Sequence, residues 1–157
     1  MRAVNTSRGF TLVEILIVVT ILGTLGAIVI PQFTSASAEA KRAALAQQLQ
    51  GIRKQIQLYM VQHDDTPPAL SGNDWSDLTS RQVINGVAFS PYLPFPPKNP
   101  LNSFSAVAVV ADDVRAGDTV AAANAGFVYN PSTARIWATN STGKKIFNED
   151  NLADPAN

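Results

Sequence analysis

The sequence predicts an α+β protein in which a long, kinked N-terminal helix packs on a small antiparallel β-sheet. Three observations carry this. The stretch from Phe10 to Ile30 is almost wholly apolar and holds one charge, Glu14. Farther on, Leu45, Leu49, Ile52, Ile56 and Tyr59 recur at alternating steps of 4 and 3, which places them on one face of a helix. Near the other end, "GFVY" (126–129) and "ARIWA" (134–138) flank "NPST", the pattern of two strands joined by a short turn.

Composition removes several classes of function. Lys+Arg and Asp+Glu are both 12, so the chain is formally neutral and has no basic excess to draw nucleic acid. With no cysteine there is no disulfide, thiol nucleophile or Cys-ligated zinc. One histidine, His63, cannot build a multi-histidine metal site. No G-x-S-x-G occurs. "ATNSTGKK" (138–145) lacks the first glycine of a phosphate loop and the hydroxyl residue after Lys144. These absences argue against an enzyme.

Taken in order, the first element is the apolar run. As a helix, Phe10–Ile30 spans roughly 30 Å, about one hydrocarbon core. A secretory signal peptide would use Arg2 and Arg8 as its basic region and "ASA" (36–38) or "AEA" (38–40) as its cleavage site. The run exceeds the usual apolar length, contains Glu14, and continues as helix past those sites. An ordinary signal anchor would leave Glu14 without a purpose. A buried core helix would not be so long, or so lacking in a polar face.

The string "RGFTLVEI" (8–15) unites these features. It resembles the class III prepilin signal of type IV pilins and type II secretion pseudopilins. The resemblance implies a cleaved basic leader, residues 1–9, with Gly9 just before the scissile bond. Phe10 would become the N-terminus and be N-methylated, with Glu14 fifth in the mature chain. Gly23 and Pro31 also fall where that family commonly has Gly and Pro. The new ammonium at Phe10 would sit at the positive end of a helix dipole in apolar surroundings. Glu14, one turn on along the same face, could pair with it or with the amine of a neighbouring subunit. The family implies the latter, so Glu14 sets the register of the next subunit. A buried charge is costly unless paired.

Residues 10–33 are then a transmembrane and fibre-core helix, and 34–63 its amphipathic continuation. Pro31 removes a helical N–H and crowds the carbonyl of Ala27. Gly23 and Gly26 weaken the helix just upstream, so a kink or loosened segment is expected between Gly23 and Pro31. Beyond it, Ala43, Ala44 and Met60 widen the apolar stripe, and the chain's own C-terminal domain is the expected partner for that face.

Residues 64–157 form a small globular domain. "HDDTPPALSGND" (63–74) is a loop that ends the helix. "DWSDLTS" (74–80) is a short helical turn capped by Asp74 or Ser76, followed by a second short helix or turn at 80–85. "SPYLPFPPKNPLNS" (90–103), with five prolines, is a loop pinned by Tyr92, Leu93, Phe95 and Leu101. Residues 105–111 read as a strand, and the 126–138 hairpin follows. Phe127 and Tyr129 share one face; Val128 and Ile136 take the other. Lys145–Asn157 reads as a loosely held tail in which "KKIF" offers a fourth short strand. A long helix across a small sheet is the pilin-like arrangement. "YLPFPPKNP" (92–100) partly resembles a loop of the major pseudopilin of type II secretion, although Asn99-Pro100-Leu101 departs from the usual pattern there.

Major pseudopilins often hold Ca²⁺ in an acidic C-terminal loop, and Asp112, Asp113 and Asp118 are the weak candidates here. Their spacing matches no defined calcium loop. The expectation is a type II secretion pseudopilin with no catalytic residue and no required cofactor. The resemblance implies prepilin peptidase as processing enzyme, copies of itself and other pseudopilins as fibre partners, and an inner-membrane assembly platform. It would be a single-pass protein of the bacterial inner membrane, with its C-terminal domain in the periplasm. A type IV pilus subunit is the alternative, and a membrane-anchored binding domain the second.

Overall fold

The computed structural model describes residues 9–122, 124–154 and 157. Most of the expected leader, residues 1–8, lies outside the described residues. The chain divides into two compact units that meet between Ser37 and Ala38. Helix α1 is Leu12–Gln62.

In the first unit the helix presents apolar side chains to its surroundings all round. Ile15, Val19, Leu22 and Ile28 are each about half exposed or more. This helix is long and apolar enough to cross a membrane. Its hydroxyls are satisfied locally, as lipid requires. Thr20 Oγ1 donates to Leu16 O at 2.7 Å, and Thr24 Oγ1 to Ile21 O at 2.9 Å.

In the second unit the amphipathic stripe is the spine of the core. Leu45, Leu49, Ile52, Ile56 and Tyr59 are all buried. They pack with Leu70, Trp75, Leu78, Phe127, Tyr129, Ile136 and Phe147. Each aliphatic member contributes about 1.5–3 kcal/mol by leaving water. Ala43 and Ala44 are exposed, and Ala46 extends the stripe in their place.

After the helix, α2 (Ser76–Thr79) forms the expected short turn. Trp75 takes the N-cap position without a side-chain cap, and neither Asp74 nor Ser76 caps the helix; Asp74 Oδ1 instead accepts from Ser76 N at 2.9 Å in a turn just ahead of it. A hairpin then stands where a helix or turn was expected: β1 (Gln82–Ile84) pairs antiparallel with β2 (Val87–Phe89). Asn85 and Gly86, both at positive φ, form its two-residue turn. In the prolyl loop Tyr92 is buried, but Phe95 is 68% exposed and pins nothing.

The main sheet is mixed. β3 (Val107–Val109) runs parallel to β4 (Phe127–Asn130), and β4 pairs antiparallel with β5 (Arg135–Ala138). The long segment between β3 and β4 permits a parallel crossover, which a tight turn would forbid. The register sets Tyr129 opposite Ile136 and Val128 opposite Trp137. Ile136 therefore lies on the Phe127–Tyr129 face, toward the helix stripe, and not with Val128 as the strand pattern suggested.

The C-terminal segment is held, not loose. Ile146 and Phe147 are buried, and "KKIF" contributes isolated bridges to Thr119 and Thr139 instead of a full strand. Asn157 Nδ2 donates to Asn151 O at 3.0 Å, and Asn148 N donates to Asn157 Oδ1 at 2.7 Å. Arg53 of α1 reaches both β5 and this segment. It donates to Ile136 O and, through both Nη atoms, to the two Glu149 oxygens at 2.7 and 2.6 Å. The two side chains are 35% and 25% exposed, which leaves solvent screening but keeps the fork geometry. A double-mutant cycle on Arg53→Met and Glu149→Gln should give a coupling of about 1–2 kcal/mol from denaturant midpoints. A coupling near zero would make the pair ornamental.

Candidate functional site

The first helix begins at a reciprocal cap. Thr11 precedes α1, and its Oγ1 accepts from Glu14 N at 3.2 Å. Glu14 Oε2 in turn accepts from Thr11 N at 2.9 Å and from Thr11 Oγ1 at 2.8 Å. This is the Thr-x-x-Glu capping box, which satisfies two of the orphan N–H groups of a helix start. Both bonds fall on one carboxylate oxygen. The other, Oε1, has no hydrogen bond among the described residues and is available to a cation.

Just ahead of the cap, Gly9 and Phe10 lie outside the helix and are exposed, Phe10 at 80%. The Gly9–Phe10 bond is thus accessible, unprotected by helical hydrogen bonds. A Cβ at Gly9 would meet no atom of the described residues within 4 Å. The same holds for Gly23 and Gly26. Any need for a missing side chain at these positions comes from another molecule or from helix flexibility.

The structure therefore gathers Gly9, Phe10 and Glu14 at one end of an apolar helix. It also adds Thr11, which the sequence pattern alone did not single out. The signal was present in "TLVE": a hydroxyl residue three before a glutamate, at the edge of an apolar run.

The acidic candidates are spread among local roles. Asp113 accepts from Thr133 Oγ1 at 2.7 Å, Asn130 Nδ2 at 2.9 Å and Arg135 Nη1 at 2.6 Å. These bonds, Thr133's foremost, hold its carboxyl below the ordinary carboxylate range. Asp118 Oδ2 accepts from Arg115 N at 2.7 Å, closing a turn. Asp112 is exposed. Among the described residues, no group of three or more His, Cys, Asp or Glu could hold a metal ion.

Comparison with known proteins agrees with the geometry. Residues 4–30 match the prokaryotic N-terminal methylation motif. The type II secretion system core protein G of Escherichia coli (strain K12) is 26% identical over 94 residues. That match covers 60% of this chain and 57% of that protein. No solved structure matches. A methylation motif on a capped, exposed apolar helix, followed by a helix-on-sheet unit, gives this chain an α+β fold of the pilin-like kind.

Proposed function

We propose that the chain is a pseudopilin of a type II secretion system, held in the inner membrane by α1 until it joins a periplasmic fibre that drives export. The observation that carries this is the half-committed carboxylate of Glu14 at the head of an exposed apolar helix, beside an accessible Gly9–Phe10 bond. The likeness to a secretion core protein favours export over other pilin-like roles.

In this reading a prepilin peptidase cleaves after Gly9 and methylates the Phe10 amine, which keeps its charge. One oxygen of Glu14 continues to cap its own helix; the other meets the ammonium of the adjoining subunit. Ion pairing in a low-dielectric medium is strong, so a lone subunit stays poorly satisfied until a neighbour docks. Apolar side chains from Leu12 to Ile30 exchange lipid for the helices of other copies and related subunits, on an assembly platform in the same membrane. Gly23, Gly26 and Pro31 let the helix bend or loosen as it packs. No cofactor is required.

Two measurements test this. The mature N-terminal peptide should begin at Phe10 and carry one added methyl; retention of Met1 would overturn the processing step. In a deletion strain, specific exoproteins should vanish from the medium and accumulate in the periplasm. Unchanged export with loss of surface fibres, twitching or DNA uptake would instead make the chain a type IV pilus subunit.

A further inference from the structure

Two features of the second unit have no explanation within a single chain, and their charges are complementary. The first is a cleft of about 800 Å³ between the C-terminal part of α1, the 113–115 loop and β5. Arg53, Arg115 and Arg135 line it, with Met60 and Trp137 as apolar wall. Arg53 is committed to Ile136 O and Glu149. Arg135 spends only Nη1, on Asp113. The Arg115 guanidinium has no bonded partner among the described residues, since only its backbone N–H engages Asp118. Three cations against the carboxylates of Asp113 and Glu149 leave the cleft with excess positive charge and open guanidinium donors.

The second feature is the exit of α1. The chain leaves the helix through His63, Asp64 and Asp65, with Asp65 N donating to Met60 O at 2.9 Å. A helix C-terminus carries partial negative charge and favours cations. The last turn of α1 has no basic residue, and the next two positions beyond His63 are acidic. Both carboxylates are exposed, and neither has an ion pair or side-chain hydrogen bond among the described residues.

We propose that Asp64 and Asp65 of one copy dock into the Arg115–Arg135 side of this cleft on the next copy. Arginine forks suit carboxylates, and Met60 and Trp137 shield the pairs from water. The acidic segment adjoins the cleft through Met60, and repeated head to tail the contact is heterologous and extends into an open helical array unless the rotation closes a ring. The inference rests on the fibre reading above and adds to it a specific polar interface outside the helical core.

The absence of cysteine makes the contact easy to test. Asp65→Cys and Arg115→Cys would be placed in separate full-length copies and co-expressed in a strain lacking the chromosomal gene. Envelopes would then be treated with a short bis-maleimide, because an Asp–Arg pair holds its Cα atoms farther apart than a disulfide spans. A cross-linked dimer should form with both copies present and fall at least tenfold with either alone. Asp65→Asn and Arg115→Gln, each accumulating to the normal level, should lower fibre yield severalfold. If the wild type forms fibres but the mixed copies give no dimer, the contact is wrong and the fibre reading stands. If the wild type forms no fibres and formaldehyde traps no oligomer, both fall. If the Arg115→Cys copy links to a different protein instead, the cleft takes a foreign acidic segment and the self-docking proposal is overturned.

Discussion

Glu14→Leu should leave cleavage after Gly9 intact and reduce fibre assembly, and with it export, by at least tenfold. The proposed cleavage site, the Gly9–Phe10 bond, is exposed ahead of the helix. Assembly is different. Leucine removes the anion that an incoming Phe10 ammonium requires, and an unpaired charge in apolar surroundings costs several kcal/mol. Leucine also removes the capping box, at about 1 kcal/mol, so the variant alone does not separate docking from capping. Glu14→Gln does. Glutamine is an accepted partner in the Thr-x-x-Glu/Gln box and keeps the acceptor for Thr11 N, but carries no charge. If charge pairing drives assembly, Gln fails nearly as badly as Leu. If the carboxylate serves only to start the helix, Gln assembles normally and the proposed role of Glu14 is wrong. Mass spectrometry of the mature N-terminus and counts of fibres in sheared fractions read the two steps separately.

Gly126→Ala should destabilise the second unit by about 3 kcal/mol or more, at the upper end of overpacking costs. A Cβ there would stand 2.1 Å from Phe104 O and 2.7 Å from Phe104 C, both backbone atoms. Neither side can yield easily. Gly126 N donates to Ala106 O at 2.8 Å, while Gly126 O accepts from Thr139 N at 3.0 Å and Asn99 Nδ2 at 2.9 Å. Asn99 is fully buried and also binds Thr139 O and Leu101 N, so a shift at Gly126 breaks a network that fastens the prolyl loop to the residues just before β4 and just after β5. Gly51→Ala is the matched control. Gly51 lies on the exposed side of α1 with nothing within 4 Å of a new Cβ. Alanine there should stabilise by about 0.5–1 kcal/mol through helix propensity. Denaturant midpoints of the two variants should move in opposite directions. A Gly126→Ala protein as stable as the wild type would contradict the close approach of residues 104 and 126.

Legibility in the sequence followed the range of the interactions involved. The 3.6-residue period placed all five stripe residues in the core, because a helix's hydrogen bonds and faces are local properties. The apolar helix and the methylation motif at its head were legible for the same reason, because both are written in consecutive residues. The Asn85–Gly86 hairpin was equally local and was missed, although Asn-Gly between apolar residues is a strong turn signal. In the second hairpin, Asn130 pairs with Arg135, and Ala134 ends the loop at positive φ. That moves the four-residue loop from "NPST" to 131–134. Either loop sets Ile136 across from Phe127 or Tyr129, so cross-strand pairing, which the strand pattern alone does not record, puts Ile136 on the helix side.

By itself, then, the sequence determined the helix and its two characters, and the buried stripe. Those features depend on periodicity and on contacts a few residues apart. Only the tertiary structure decided that β3 runs parallel to β4, that Gly126 must lack a side chain, and that Arg53 and Asn157 hold the C-terminal segment in place. It also decided that three arginines from distant parts of the chain share one cleft. Such pairings join residues tens of positions apart, where the free energy depends on which surfaces meet and no local pattern records the choice.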